Sequence, residues 1–205
     1  MMRLLPSLSL SVFFFLPLAP LLRAEPWTEP LAQLRQVGPE GAGNTEAAAA
    51  WNELTALGSE VIVPVLTAME GAGPLSRNWM RTAVETVFER ELKAKTDLPS
   101  EAIKAFLLDR ENEPNARRLA FDLFSQVAPE EAAALVPGMI NDPSPGLRRD
   151  AVAKLLAEGK AQLEANEKEK SLATLKAALD GARDADQIDA VTKLLREKLE
   201  QKVDL

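Results

Sequence analysis

An all-α chain of stacked helical pairs is the fold class this sequence predicts, on three observations. Helix-forming residues dominate, and the only β-branched cluster, Val61-Ile62-Val63, runs straight into Pro64, which a central strand does not tolerate well. Apolar residues recur at steps of three and four along several segments, the signature of helices buried on one side. One short pattern also repeats: arginine, any residue, alanine, then a large apolar residue. It reads Arg81-Thr82-Ala83-Val84, Arg118-Leu119-Ala120-Phe121 and Arg149-Asp150-Ala151-Val152, with the arginines 37 and then 31 residues apart. Each copy follows a turn-like stretch, as expected where one helical pair hands over to the next.

The elements follow in order. Residues 31–37 predict a short first helix, and Gly38 to Gly43 break it, because glycine and proline at this density end helices. Asn44 or Thr45 is the expected cap of a second helix that runs through four alanines to Trp51, Leu54 and Leu57 and ends at Gly58. Ser59 is the expected cap of a helix over 61–69, with Val61, Val65 and Leu66 on one side and Pro64 near its first turns. After the loop at 71–74, a helix over 76–95 carries the stripe Met80, Ala83, Val84, Val87, Phe88, Leu92. Ser100 is read as the cap of 103–108, and Asn112-Glu113-Pro114 as the turn before a helix over 117–127. Pro129 opens a helix reaching Ile140, since proline at a first helical position gives up an N–H that would have no partner anyway. The clearest turn, 141–146, precedes a long helix over 147–163 with Ala151, Val152, Leu155 and Leu156 inward. The charged stretch 164–170 reads as a solvated end or bend. A helix marked by Leu172, Leu175 and Leu179 closes near Gly181, and Asp184 or Asp186 is the expected cap of a last helix striped by Ile188, Val191, Leu195 and Leu199. Trp51 and Trp79 lie on helix stripes and are assigned to the core; Trp27 is assigned to an N-terminal cap or a partner surface.

The start of the chain reads differently. Met1-Met2-Arg3 is followed by an almost wholly apolar run from Leu4 to Leu22, then Arg23-Ala24 and a polar stretch. That is the layout of a secretory signal peptide, with cleavage expected after Ala24; Pro6, Pro17 and Pro20 argue against the competing reading, an uncleaved membrane anchor. The expected organisation is therefore signal peptide 1–24, helical repeats 25–163 and a C-terminal helical hairpin or cap 164–205, in a periplasmic or extracellular protein with no membrane segment after cleavage. Without Arg3 and Arg23, the 24 basic residues fall to 22 against 31 acidic ones, a net of −9. Residues 25–146 hold 10 basic and 19 acidic residues, while 147–205 hold 12 of each. The first region repels phosphate backbones, which excludes nucleic acid as an expected partner; the acid serves solubility. Cysteine, histidine and tyrosine are absent, so disulfides contribute nothing and packing must supply stability.

Residues 132–156 contain Pro137, Asp142, Arg149 and Ala151 in a spacing that resembles a HEAT repeat, in which a first helix carries a proline, a turn an aspartate, and a second helix a basic residue before an alanine. The segment 101–124 keeps Arg118 and Ala120 without the proline, and 60–88 keeps Pro64, Arg81 and Ala83 with a longer turn that lacks the aspartate. The resemblance covers about 60–156 and implies a right-handed α-solenoid of antiparallel helix pairs, whose binding surface is lined by the second helix of each pair. Physically, one pair cannot bury both its stripes, so pairs stack into one continuous core. Small alanines let helices approach closely. The arginine after each turn can reach a carbonyl or an aspartate of the adjacent unit, Asp142 being the one turn aspartate at the matching place. Pro64, Arg81, Ala83, Arg118, Ala120, Pro137, Asp142, Arg149 and Ala151 are thus expected to be structural.

No residue set points to a reaction. Histidine and cysteine catalysis and their metal sites are impossible here. No Gly-x-Ser-x-Gly and no Gly-x-x-x-x-Gly-Lys phosphate loop occurs, and the glycines at 38–43 lie between helices rather than after a strand. Glu111 with Glu113, or Glu130 with Glu131, are carboxylate pairs by sequence proximity alone, and such runs serve helix starts. Asp180, Asp184, Asp186 and Asp189 do not match calcium-loop spacing. The expectation is an exported scaffold or protein-interaction module without catalysis or cofactor. The alternatives are the helical front part of a larger exported protein with catalytic or carbohydrate-binding modules beyond residue 205, and a hydrolase working through carboxylates.

Overall fold

A computed structural model describes residues 24–203, so the expected leader lies outside the described residues except for Ala24. Every regular element among them is helical, with no strand, which makes the chain all-α. The α-helices are α1 (Thr28–Leu34), α2 (Asn44–Ala56), α3 (Ile62–Ala68), α4 (Pro74–Ala94), α5 (Ser100–Leu108), α6 (Pro114–Val127), α7 (Pro129–Leu135), α8 (Pro145–Glu164), α9 (Lys168–Gly181) and α10 (Ala185–Leu199). None is long and apolar enough to cross a membrane.

Four of these helices, α4, α6, α7 and α8, open on proline. Only Pro129 was assigned to a first helical position from the sequence. Pro74, Pro114 and Pro145 read as turn residues in the sequence, which sets the expected starts two or three residues late. The expected side-chain caps are corrected too. Gly43, in the left-handed region at φ 76°, precedes α2, so Asn44 lies inside the helix and neither it nor Thr45 caps it. Ser59 instead opens a short 3-10 turn over Ser59–Val61 and donates its hydroxyl to the Asp97 carbonyl at 3.3 Å. Ser100 is the first residue of α5, preceded by Pro99. Asp184 precedes α10, but its side chain makes no capping bond. Glu113 does the capping work at α6, accepting from the Ala116 N–H at 2.6 Å.

The helix expected to reach Ile140 tightens at Val136–Met139 into 3-10 geometry. Pro137 explains this, because it has no N–H to give to the carbonyl four residues back. That carbonyl, of Ala133, is instead satisfied by the Lys154 ammonium of α8 at 2.8 Å.

Helices α2, α4, α6, α8 and α10 touch in that order, with α3 packed against α4 and α6, α5 against α3 and α6, and α9 against α8 and α10. The stripe on α4 is buried from Met80 to Phe88, whereas Leu92 near its end is exposed. One apolar cluster runs from Leu31 to Ala151, taking in Phe88 and Phe124, both at most 1% exposed; full burial of such a side chain is worth roughly 1.5–3 kcal/mol. A smaller cluster joins Leu175, Ala178, Val191 and Leu195 to Leu155, Leu156, Leu163 and Leu172. The two divide within α8. Ala83, Ala120 and Ala151 are each at most 2% exposed. Trp27, Trp51 and Trp79 are half-buried against the larger cluster, and the Trp51 indole N–H donates to the Thr82 hydroxyl at 3.1 Å.

Candidate functional site

Arginine doublets open α6 and α8: Arg117-Arg118 and Arg148-Arg149. Neighbours on a helix point about 100° apart, so the two members of each doublet serve different places. The first members converge on Asp142. Arg117 is 2% exposed and holds this carboxylate with two parallel bonds, Nη1 to Oδ1 at 2.7 Å and Nη2 to Oδ2 at 2.9 Å. Its Nε also donates to the Leu107 carbonyl at the end of α5, at 2.8 Å. Arg148 donates to the Asp142 backbone carbonyl at 2.8 Å, and the Ser144 N–H to the Asp142 carboxylate at 2.8 Å. Burial pushes the Asp142 carboxyl up, but the bonds from Arg117 and Ser144, with the charges of Arg117 and Arg110, outweigh it and hold the group below its ordinary value.

The second members reach onward. Arg118 donates to the Gly146 carbonyl at 3.2 Å and pairs with Asp150 of α8 and Asp122 of its own helix. Arg149 grips Asp186 at 2.5 Å and Asp184 at 3.1 Å, and these bonds, Asp186 first, raise its guanidinium further above the ordinary range. Arg77, three residues into α4, meets Glu113 at 3.2 Å. Carboxylates in the turns before α6, α8 and α10 are therefore tied to α4, α6 and α8 respectively.

The residues singled out from the sequence thus fall in unlike places. Arg81 is exposed and bonds Glu85 one turn along α4 at 2.8 Å, so it reaches no neighbouring turn. Asp142 is held by Arg117, one residue before the predicted Arg118; the doublet was the signal that could have shown it. Pro64 is the third residue of α3 and Pro137 sits in the 3-10 turn. Of the carboxylate pairs, Glu113 is buried and fully engaged by Arg77, Asn115 and the Ala116 N–H. Glu131 pairs with Lys104 at 2.7 Å, while Glu111 and Glu130 are exposed. Asp184 and Asp186 are occupied by Arg149. No group of three or more metal-ligating side chains is gathered among the described residues.

What these helices do assemble is a groove of about 360 Å³ between α4 and α6. Arg77, Asn78, Arg81 and Glu85 line it from α4, and Asn115, Arg118, Leu119 and Asp122 from α6, with Met69 and Pro74 at one end. Its three arginines stand in a region that is strongly acidic overall. Arg81 is charged and held above its usual range by the bond to Glu85; in Arg118, burial works against the charge but Asp122 and Asp150 outweigh it. Guanidinium forks and side-chain amides are donors that match carboxylates and peptide carbonyls. No family model, curated protein or solved structure matches this chain.

Proposed function

We propose that this chain is an exported helical-repeat scaffold that binds a protein partner, with no catalytic activity of its own, and that the groove between α4 and α6 is its binding surface. The observation that carries this reading is the make-up of the groove: two pattern arginines, Arg81 and Arg118, line it from the neighbouring helices α4 and α6, together with Arg77, Asn78 and Asn115. Support for a solenoid of antiparallel pairs comes from the recurrence of buried Ala83, Ala120 and Ala151 and from the contact order α2, α4, α6, α8, α10. A row of second helices is where such a stack presents its binding face. The leader layout of residues 1–24 supports export, and the lack of histidine and cysteine supports a binding role over a chemical one.

The test places a photo-crosslinking amino acid at exposed Asn78, in the groove, and at exposed Lys176, on α9. Crosslinking in cell-envelope extract is expected to give one discrete adduct from position 78 and none from 176. Adding Arg81→Glu, which removes an exposed guanidinium paired only within α4, should abolish that adduct. Adducts of equal yield from both positions, unaffected by Arg81→Glu, would overturn the assignment of the groove.

A further inference from the structure

At the other end of the molecule, Lys160 near the end of α8, Lys168 at the start of α9 and Lys198 near the end of α10 converge on a hollow of about 540 Å³. Its floor is Leu163 and Leu194, half-buried members of the smaller apolar cluster, and Glu164 is the one acid lining it. Lys168 and Lys198 also border an adjoining hollow of about 220 Å³ lined by Leu172 and Leu199, with Glu169 and Glu200 at its edge. The result is an apolar seam in two parts, straddled by a pair of ammonium groups.

Ion pairing does not account for these lysines. None makes an ion pair among the described residues; the lysines that do are Lys104 and Lys170. Lys198 lies in the last turn of α10, where a cation complements the helix dipole. Lys168 is the first residue of α9, where the dipole is positive and a cation is disfavoured. Its side chain therefore adds to a positive field already present instead of cancelling a negative one. In the larger hollow three lysines without an ion pair among the described residues face one acid, Glu164, around the half-buried leucines, which makes it complementary to an anion that also carries apolar groups.

We infer that this seam binds an acidic peptide segment of a partner protein, with leucine-like side chains set on either side of paired carboxylates. The carboxylates meet Lys168 and Lys198 in the middle, and the apolar anchors enter the Leu163–Leu194 and Leu172–Leu199 hollows. The arrangement favours a peptide over a single-tailed amphiphile, because such a molecule has its charge at one end and fills one hollow only. The site is separate from the α4–α6 groove and does not depend on the reading given to it.

Fluorescence anisotropy with the purified protein and a labelled Gly-Leu-Glu-Glu-Leu-Gly peptide tests this. Saturable binding is expected, weakened about tenfold or more by Lys168→Glu with Lys198→Glu, since reversing two contacting charges acts on both encounter and retention. Changing the peptide instead, to glutamine for glutamate or serine for leucine, should weaken it comparably without touching the protein's fold. Arg81→Glu should leave binding unchanged. Absence of saturable binding, indifference to the lysine changes, or equal affinity for the glutamine peptide would each overturn the assignment. So would binding of decanoate with no binding of the peptide.

Discussion

Arg117 and Asp142 form the most committed polar contact in the molecule. Both are at most 2% exposed, and neither would be tolerated alone. Removing one partner from a buried pair leaves an uncompensated charge and costs about 3–5 kcal/mol, whereas replacing both by apolar residues is often near neutral. Arg117→Met is therefore expected to lower the urea unfolding free energy by about that amount, and adding Asp142→Leu to recover most of it. The pH dependence follows in sign. The Asp142 carboxyl is depressed in the folded state, so the stability it contributes is present above the unfolded value of about 4 and is lost as pH falls through the folded value. Between pH 6 and pH 2 the melting temperature of the wild type should fall more steeply than that of the double variant, in which the other acid-sensitive carboxylates are unchanged. The pair was half-legible in the sequence. Asp142 stands out as a turn aspartate, but a repeat pattern picks Arg118 by alignment, and which of two adjacent arginines turns inward depends on neighbours 25 residues away.

At the scale of elements, the helices were legible because each is striped, and several of their ends were not, because those ends are satisfied from a distance. Arg35 donates to the Ala68 and Glu70 carbonyls at the end of α3, at 2.6 and 2.9 Å. Arg90 serves the Thr55 and Leu57 carbonyls at the end of α2. Local cap rules search within a few residues and cannot see partners more than thirty positions away. The break at Pro137 follows the same logic, since Lys154 completes what the proline cannot. Close approach is the other hidden feature. A Cβ on Gly181, at the end of α9, would stand 2.8 Å from the Ile140 carbonyl oxygen, a backbone atom that cannot swing away. On Gly159 in α8 it would lie 2.6 Å from Leu175 Cδ2. Alanine has the better intrinsic helix propensity by about 1 kcal/mol, yet overpacking costs about 1–3 kcal/mol. Gly181→Ala should therefore lower the melting temperature. Gly159→Ala should lower it less, because a leucine can rotate. A rise in either would show that α9 packs more loosely against α8 or against Ile140 than these distances imply.

The whole molecule has an uneven interior, and that unevenness sets how it should open. The larger cluster extends from α1 into the first turns of α8, while the smaller one holds four buried apolar residues between α9 and α10, with leucines of the second half of α8 against them. A 20-residue helix is about 30 Å long, so α8 can lend its two halves to different cores. The sequence placed a boundary at 163/164 because the charged stretch there marks solvent; it marks the end of α8, not the point where the apolar partners change. Two polar ties link the start of α8 to α10: Arg149 with Asp184 and Asp186, and the Gln187 side-chain amide, which donates to the Arg149 carbonyl at 2.8 Å. Opening of a small subset of contacts precedes global unfolding when that subset buries little apolar surface. Native-state hydrogen exchange is thus expected to show α9 and α10 amides opening at lower free energy than those of α4 and α6. Arg149→Ala should speed exchange in α10 while leaving α6 unchanged, since the lost bonds join only that end, and the acceleration should shrink in concentrated salt because the pairs are exposed. Uniform exchange free energies across α4, α6, α9 and α10 would mean that α8 transmits cooperativity along its full length and that the two clusters behave as one core.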